Sequence, residues 1–276
     1  MSTLSRTPVG EPRSWIALQN RLTANEAAKG LRLMWHRRSM VIVGVVMNGL
    51  TYLGISFFIG GGHIVKPLMV LTLPALLALV VAGTAALQGS GGVAEEINGG
   101  TLEQTQLSPA SPQAQMLGRA VALAVEGLVS ALALGVVFIL GFGLDYDLHP
   151  AALLPALLTV ADGLGYGLLI AALTVRAASI GAITHVFNMV IMVFGGMMIP
   201  IAVFPDTLET FARVVPTALG VQALNTTLAG EPLAATWSDG TLPWLLVHTA
   251  VLLTAGLVTY VVNIRRAARE GGLSPR

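Results

Sequence analysis

Two carboxylates stand inside long apolar runs: Glu126 within 116–142 and Asp162 within 151–175. Carboxylates in a low-dielectric site can share a proton and divide the roles of acid and base, and inside a membrane they can relay a proton. Glu126 lies ten residues beyond Met116 and Asp162 eleven beyond Ala151, which places both near the middle of a helix crossing a hydrocarbon layer about 30 Å thick. An ionised carboxylate at that depth costs about 2.5 to 3.5 kcal/mol, so each has to face a bundle interior or water, or hold a proton. Four chemistries are open. They are the polar lining of a translocation path or of a seam between two chains, a protonated and hydrogen-bonded structural pair, proton coupling in an ion-driven carrier, and an intramembrane hydrolase with a carboxylate dyad. Asp162-Gly-Leu-Gly-Tyr166 is a weak pattern for the last. Asn48 and Asn188 are candidates for the same lining, with His185 beside them, although such residues more often bond a neighbouring helix than a ligand.

Other chemistries are excluded by what the sequence lacks. There is no cysteine, which removes disulfides, thiol catalysis and thiolate metal sites. The five histidines, His36, His63, His149, His185 and His248, are far apart and none belongs to an H-E-x-x-H motif, so no metal site is expected. No G-x-x-x-x-G-K-[ST] loop exists, and the only lysines are Lys29 and Lys66. Nucleotide cannot be bound by that route, and active transport would draw on a partner ATPase or an ion gradient. A G-x-S-x-G elbow is absent as well.

The elements that position these residues follow from composition. Of 276 residues, 54% are hydrophobic and 11% charged, with a mean hydropathy of +0.77, whereas soluble domains carry roughly 25% charged residues. Net charge is +1, so no basic field points to nucleic acid. Six apolar runs are long enough to cross a bilayer as helices: 40–60, 67–87, 116–142, 151–175, 180–203 and 242–264. Of the 15 Lys and Arg, all but Lys66 and Arg213 then fall on one side, and the positive-inside rule makes that side the cytoplasm. The expected protein is an all-α polytopic chain of the cytoplasmic (inner) membrane with both termini inside. Residues 1–39 form a tail and surface helix, 40–264 the six-helix bundle and 265–276 a second tail, together a single transmembrane domain. The segment 205–240 is expected to hold re-entrant or interfacial short helices on the outer face, because Arg213, Pro216, Gln222 and Asn225 suit protein-covered broken backbone better than a seventh span.

No signal peptide is expected ahead of the first run. Trp15, Leu18 and Leu22 share one helical face and Leu31, Met34 and Trp35 another, the pattern of an amphipathic helix on the inner membrane surface. Thr23 and Glu26 form a capping-box pair that would start its second half. The one sizeable cytoplasmic loop is expected to run from Gly89-Ser-Gly-Gly92 to Gln115. In it, Thr101-Leu-Glu-Gln104 fits a capping box, Ser108-Pro109 a stop, and Ser111-Pro112 the cap of the next helix. A short rigid helix slung there can transmit force from a soluble partner.

Two loops carry a resemblance. Glu95-Glu-Ile-Asn-Gly-Gly-Thr-Leu-Glu-Gln104, followed by Ser108-Pro109 and Leu117-Gly118-Arg119, resembles the acidic stretch, Gly-Thr-Leu-Glu, Ser/Thr-Pro and Leu-Gly-Lys/Arg pattern of ABC-transporter permeases of the type-2 exporter family. That family exports drugs, lipids or polysaccharides. Gly196, Pro200, Pro205, Leu208 and Pro216-Thr217 resemble the segment after its fifth span. The chain departs from the family at Thr105 and Gln106, where apolar residues are usual, and at Phe204, where Leu is common. The resemblance implies two permease chains, here a homodimer, with two separate ATP-binding cassette subunits that bind ATP and Mg, this chain binding no cofactor itself. It implies that Gly100, Thr101, Leu102, Glu103 and Leu107, with Glu95 and Glu96 beside them, couple to the ATPase. Glu126, Asp162, Asn48 and Asn188 would line the path or the dimer seam.

Overall fold

The computed structural model describes residues 15–101, 109–176 and 181–270. Among them ten α-helices follow in order: α1 (Trp15–His36), α2 (Arg38–Ile59), α3 (Lys66–Asn98), α4 (Pro112–Phe142), α5 (Leu153–Thr174), α6 (Gly181–Phe194), α7 (Asp206–Ala212), α8 (Ala218–Leu228), α9 (Leu233–Ser238) and α10 (Thr241–Glu270). No strand occurs among the described residues.

Five helices are long and apolar enough to cross a membrane: α2, α3, α4, α5 with its leading 3-10 turn, and α10. The expected run 180–203 is different. Its helix α6 has 14 residues and spans about 21 Å, less than the hydrocarbon thickness. The chain breaks at Gly195 and Gly196, the latter at φ +93°, and resumes only as a 3-10 turn at Ile201–Val203. A second difference lies in α3, which continues through Gly89-Ser-Gly-Gly92 to Asn98, where a loop was expected from Gly89. Packing explains it. Gly89 sits against Leu123 and Ala171, and Ser90 returns its hydroxyl to Ala86 O at 2.6 Å. Nor does α1 break at Thr23. It is one helix of 22 residues, and Glu26, cast as a capping residue, instead accepts from Lys29 at 3.2 Å.

The helix α3 is the centre of the bundle. It packs on α4 where Gly127 meets Val81, and on α5 where Gly163 meets Ala82. The α5 and α10 backbones touch more closely still: a Cβ on Gly165 would lie 2.8 Å from Leu252 Cβ, and one on Gly256 2.9 Å from Leu168 Cβ. Small residues at such crossings let helices approach where no hydrophobic force drives them together. Pro74 stands inside α3 and lacks the N–H that would bond Val70 O. Tyr146 supplies the missing donor, its hydroxyl lying 3.0 Å from Val70 O. By contrast α2 buries only Gly49, Tyr52 and Ser56 and leaves Met40, Ile42, Val43, Val46 and Leu50 exposed.

The short helices form a hairpin against α5. Thr217 lies at the level of Asp162, nine residues into α5, or about 14 Å. From there α8 climbs back. Gly220 meets Thr159, Asn225 Nδ2 donates to Leu71 O at 3.0 Å, and Leu228 O accepts from Asp147 N at 3.1 Å.

Candidate functional site

The helices α3, of 33 residues, and α4, of 31, are about 50 and 46 Å long, well beyond a hydrocarbon layer of about 30 Å. Their surplus carries the charged motif residues. Glu96 at the end of α3 accepts from Arg119 Nη2 at 2.6 Å and faces Lys29 Nζ of α1 at 3.6 Å. The Glu96 and Arg119 side chains are 18% and 15% exposed, and charges so nearly buried need each other. α1 reaches them because Gly118 leaves room: a Cβ there would lie 2.6 Å from Thr23 O. Gly30 meets Ala122 one turn further along α4.

A single amide closes the unit. Gln19 Nε2 donates to Pro109 O, and Gln19 Oε1 accepts from Ser111 N, each at 2.9 Å. The segment entering α4 is thereby tied to α1 on both sides of Ala110. α4 itself starts as its sequence dictates, with Ser111 Oγ accepting from Ala114 N at 3.2 Å and Pro112 in the first turn. At the other edge α3 ends at Gly99, and Gly100 takes φ +65°, the left-handed turn in which glycine is favoured after a helix. Thr101 caps back to Glu96 O at 3.3 Å. Glu95 is exposed. Leu102, Glu103 and Leu107, with Thr105, Gln106 and the expected coupling helix, lie outside the described residues. Arg37 adds a further link, its Nη1 donating to Gln88 Oε1 at 3.3 Å.

The second cluster is built on Asp162, 1% exposed. Its Oδ2 accepts from Thr217 N at 2.7 Å, and its Oδ1 meets His248 Nδ1 at 2.7 Å and Thr249 Oγ1 at 3.2 Å. The other ring nitrogen, His248 Nε2, lies 3.3 Å from Val214 O. Two acceptors therefore flank the ring. With Nδ1 and Nε2 both protonated beside a carboxylate, or with the proton passed to Asp162, the pair is neutral as a whole, which removes the cost of an isolated charge in hydrocarbon. Thr217 sits at φ +70°, the one non-glycine residue with positive φ among the described residues. Its hydroxyl is buried without a partner. Strain and an unsatisfied group at one residue mark a position held by its surroundings.

Glu126 and Asp162 are not brought together. Glu126 is 7% exposed and lines a small cavity with Arg37, Gln88 and Glu96, on the side of the charged unit, whereas the side-chain hydrogen bonds of Asp162 go to α10 and to the turn before α8. Asn48 is exposed and bonds its own helix at Gly44 O, 2.9 Å. Asn188 joins α6 to α5 by accepting from Tyr166 Oη at 3.2 Å, and His185 is exposed. Sequence reasoning gave no site role to Gln19, Lys29, His248 and Thr249, and named Thr217 only within the Pro216-Thr217 motif. For His248 one signal existed, an ionisable residue inside the apolar run 242–264. Gln19 offered none.

A family model described as ABC-2 family transporter protein matches residues 64–258, from the start of α3 into α10. No curated protein matches the chain.

Proposed function

The chain belongs to the ABC-2 family of transporters, and on that premise we propose that it is the membrane subunit of an ATP-driven exporter, working as a homodimer with two ATP-binding cassette subunits. ATP and Mg bind to those partners. Substrate passes between two copies of this chain. The observation that carries the coupling is the unit formed by α1, the end of α3 and the start of α4, joined through Lys29, Glu96 and Arg119 and through the Gln19 amide. Thr101 and Pro109, which bracket the expected coupling segment, stand at its two edges. A push on that loop is delivered to three helices at once, two of which run through the bilayer.

Six crossings complete this reading. α6 and the broken stretch after it make the fifth, and α7 to α9 form a re-entrant outer hairpin, its backbone covered by α5 and α10. Both termini lie on the cytoplasmic side of the inner membrane, where Arg265, Arg266 and Arg269 follow the last span. Asp162 holds the hairpin closed, and Glu126 lines the inner approach to the path.

The test is a charge exchange. With the ATP-binding subunit co-reconstituted in liposomes, Glu96→Arg and Arg119→Glu each reduce transport-coupled ATP hydrolysis, and the double exchange restores part of it. Full coupling in both single variants would remove the unit from the mechanism.

A further inference from the structure

A cavity of about 250 Å³ lies between α3, α4, α5 and α8, apart from both charged clusters. Its walls are Leu73, Leu77, Leu128, Leu132, Ala156 and Leu224, among others of the same kind. Two polar side chains also line it, and each is satisfied internally: Thr159 Oγ1 donates to Pro155 O at 2.6 Å and Tyr146 Oη to Val70 O at 3.0 Å. Water needs two to four polar partners to stay in such a space, and the lining side chains leave only the acceptor lone pairs of these two hydroxyls. Leu128 and Leu132 line the cavity and are 37% and 65% exposed, so it opens sideways from the bundle. On α3 the lining runs from Leu73 to Val81, and on α4 from Leu128 to Ile139, about 12 and 16 Å along the helix axes. The space is a slot parallel to the spans.

A cation stands above it. Lys66, Val70, Leu73 and Leu77 follow at spacings of four, three and four residues and so share one face of α3. Lys66 is exposed, and among the described residues it has no carboxylate within ion-pair distance. Its Nζ sits beside Gly143, one turn beyond Ile139 of the slot, where a Cβ would be 3.8 Å away. Arg213, the other basic residue assigned outside, is already paired with Glu209 at 2.9 Å.

We infer that this slot is a resident phospholipid site: one acyl chain of an outer-leaflet lipid lies between α4 and α5, and its phosphate rests on Lys66. The apolar walls exclude a polar ligand, the sideways opening faces the bilayer, and the unpaired ammonium selects an anionic headgroup. The inference takes α3, α4 and α5 as membrane crossings and needs nothing from the ATP-coupled mechanism. A lipid held there fills the gap beside the hairpin helix α8, whose Leu224 closes one wall.

Native mass spectrometry of the detergent-purified chain with added phosphatidylglycerol or phosphatidylcholine tests it, with no ATP-binding subunit present. The wild type is expected to keep one phosphatidylglycerol under activation that strips scattered lipid. Ala156→Phe fills the slot from α5 and abolishes retention. Leu132→Trp does so from α4, should the first variant fold poorly. Lys66→Gln keeps lipid but loses the preference for phosphatidylglycerol by about fivefold, the worth of one basic residue near an anionic headgroup. Undiminished retention in both slot-filling variants, or an unchanged preference in Lys66→Gln, overturns the site. Release of the retained amphiphile only when the complete transporter turns over ATP would make it cargo and overturn the resident role. Failure of the chain to pair with an ATPase would leave the retention and preference measurements, made on the chain alone, untouched.

Discussion

Replacing Asp162 by alanine removes the acceptor that three donors share, one in the turn before α8 and two on α10. Thr217 N, 2.7 Å from Oδ2, loses its partner in a turn already held at positive φ. His248 Nδ1 and Thr249 Oγ1 lose theirs on α10. An unsatisfied buried donor costs about 1 to 3 kcal/mol. The Thr217 amide bears this in full because it is backbone and cannot turn away, while the hydroxyl and ring can partly reorient. A total of about 3 to 5 kcal/mol is expected, within the range for breaking a buried polar network. Asp162→Asn is the informative contrast. Its carbonyl oxygen can keep the Thr217 amide while its NH₂ donates to an unprotonated His248 Nδ1, leaving Nε2–H for Val214 O. The Thr249 hydroxyl, a donor to the carboxylate, has to turn and accept the second N–H, at a cost of about 1 kcal/mol. In detergent, apparent unfolding midpoints followed by size-exclusion fluorescence should fall by about 6 to 20 °C for alanine and 2 to 4 °C for asparagine, taking about 2 to 4 °C per kcal/mol for a chain of this size. Equal losses in the two variants, or a fall below 2 °C for alanine, would refute the view that hydrogen bonding at Asp162 fastens the hairpin.

Gly118→Leu places a side chain where Thr23 O and Glu26 Cβ lie 2.6 and 2.7 Å from a Cβ. Overpacking of about 1 to 3 kcal/mol should lift α1 from α4, and proteolysis near Trp15–His36 should rise several-fold while the spans stay protected. Tyr146→Phe leaves Val70 O without the donor that replaces the one lost at Pro74, and thermal stability should drop by about 1 to 3 kcal/mol. An unchanged midpoint would mean that another donor serves this carbonyl. Gly165→Val forces apart α5 and α10, where Leu252 Cβ and Leu253 N are each 2.8 Å from a Cβ, and should sharply reduce the yield of folded chain. Normal yield would refute the close crossing.

Local chemistry was readable where it acts alone. Ser111-Pro112 announces the start of α4 and does start it, and five of the six apolar runs are long helices. The failures share a cause, which is tertiary packing outweighing local signals. Gly89 to Gly92 read as a loop because glycine disfavours helix by about 1 kcal/mol, but Gly89 is pressed between α4 and α5 and the helix runs on. Thr23 and Glu26 satisfy a capping pattern, yet the helix is continuous and Glu26 serves Lys29. The run 180–203 is apolar throughout, and hydropathy does not register that Gly195-Gly196 and Pro200 end a helix inside it. Of the charged residues singled out, Glu96 on α3 meets Arg119 on α4, 23 positions away and within the same quoted motif. The Asp162 contact with His248 spans 86 positions, and no local pattern encodes such a separation.

The absence of cysteine makes one measurement especially direct. Thr101, exposed just beyond the turn that ends α3, is replaced by cysteine, and the chain is co-expressed with its candidate ATP-binding subunit carrying single cysteines across the surface expected to face the membrane. A separate motor docking at this loop predicts a stable complex and a disulfide from position 101 to that surface, changing in yield when ATP is trapped on the partner. No complex, or a complex in which position 101 never crosslinks and Glu96→Arg leaves ATP hydrolysis fully coupled, would contradict it.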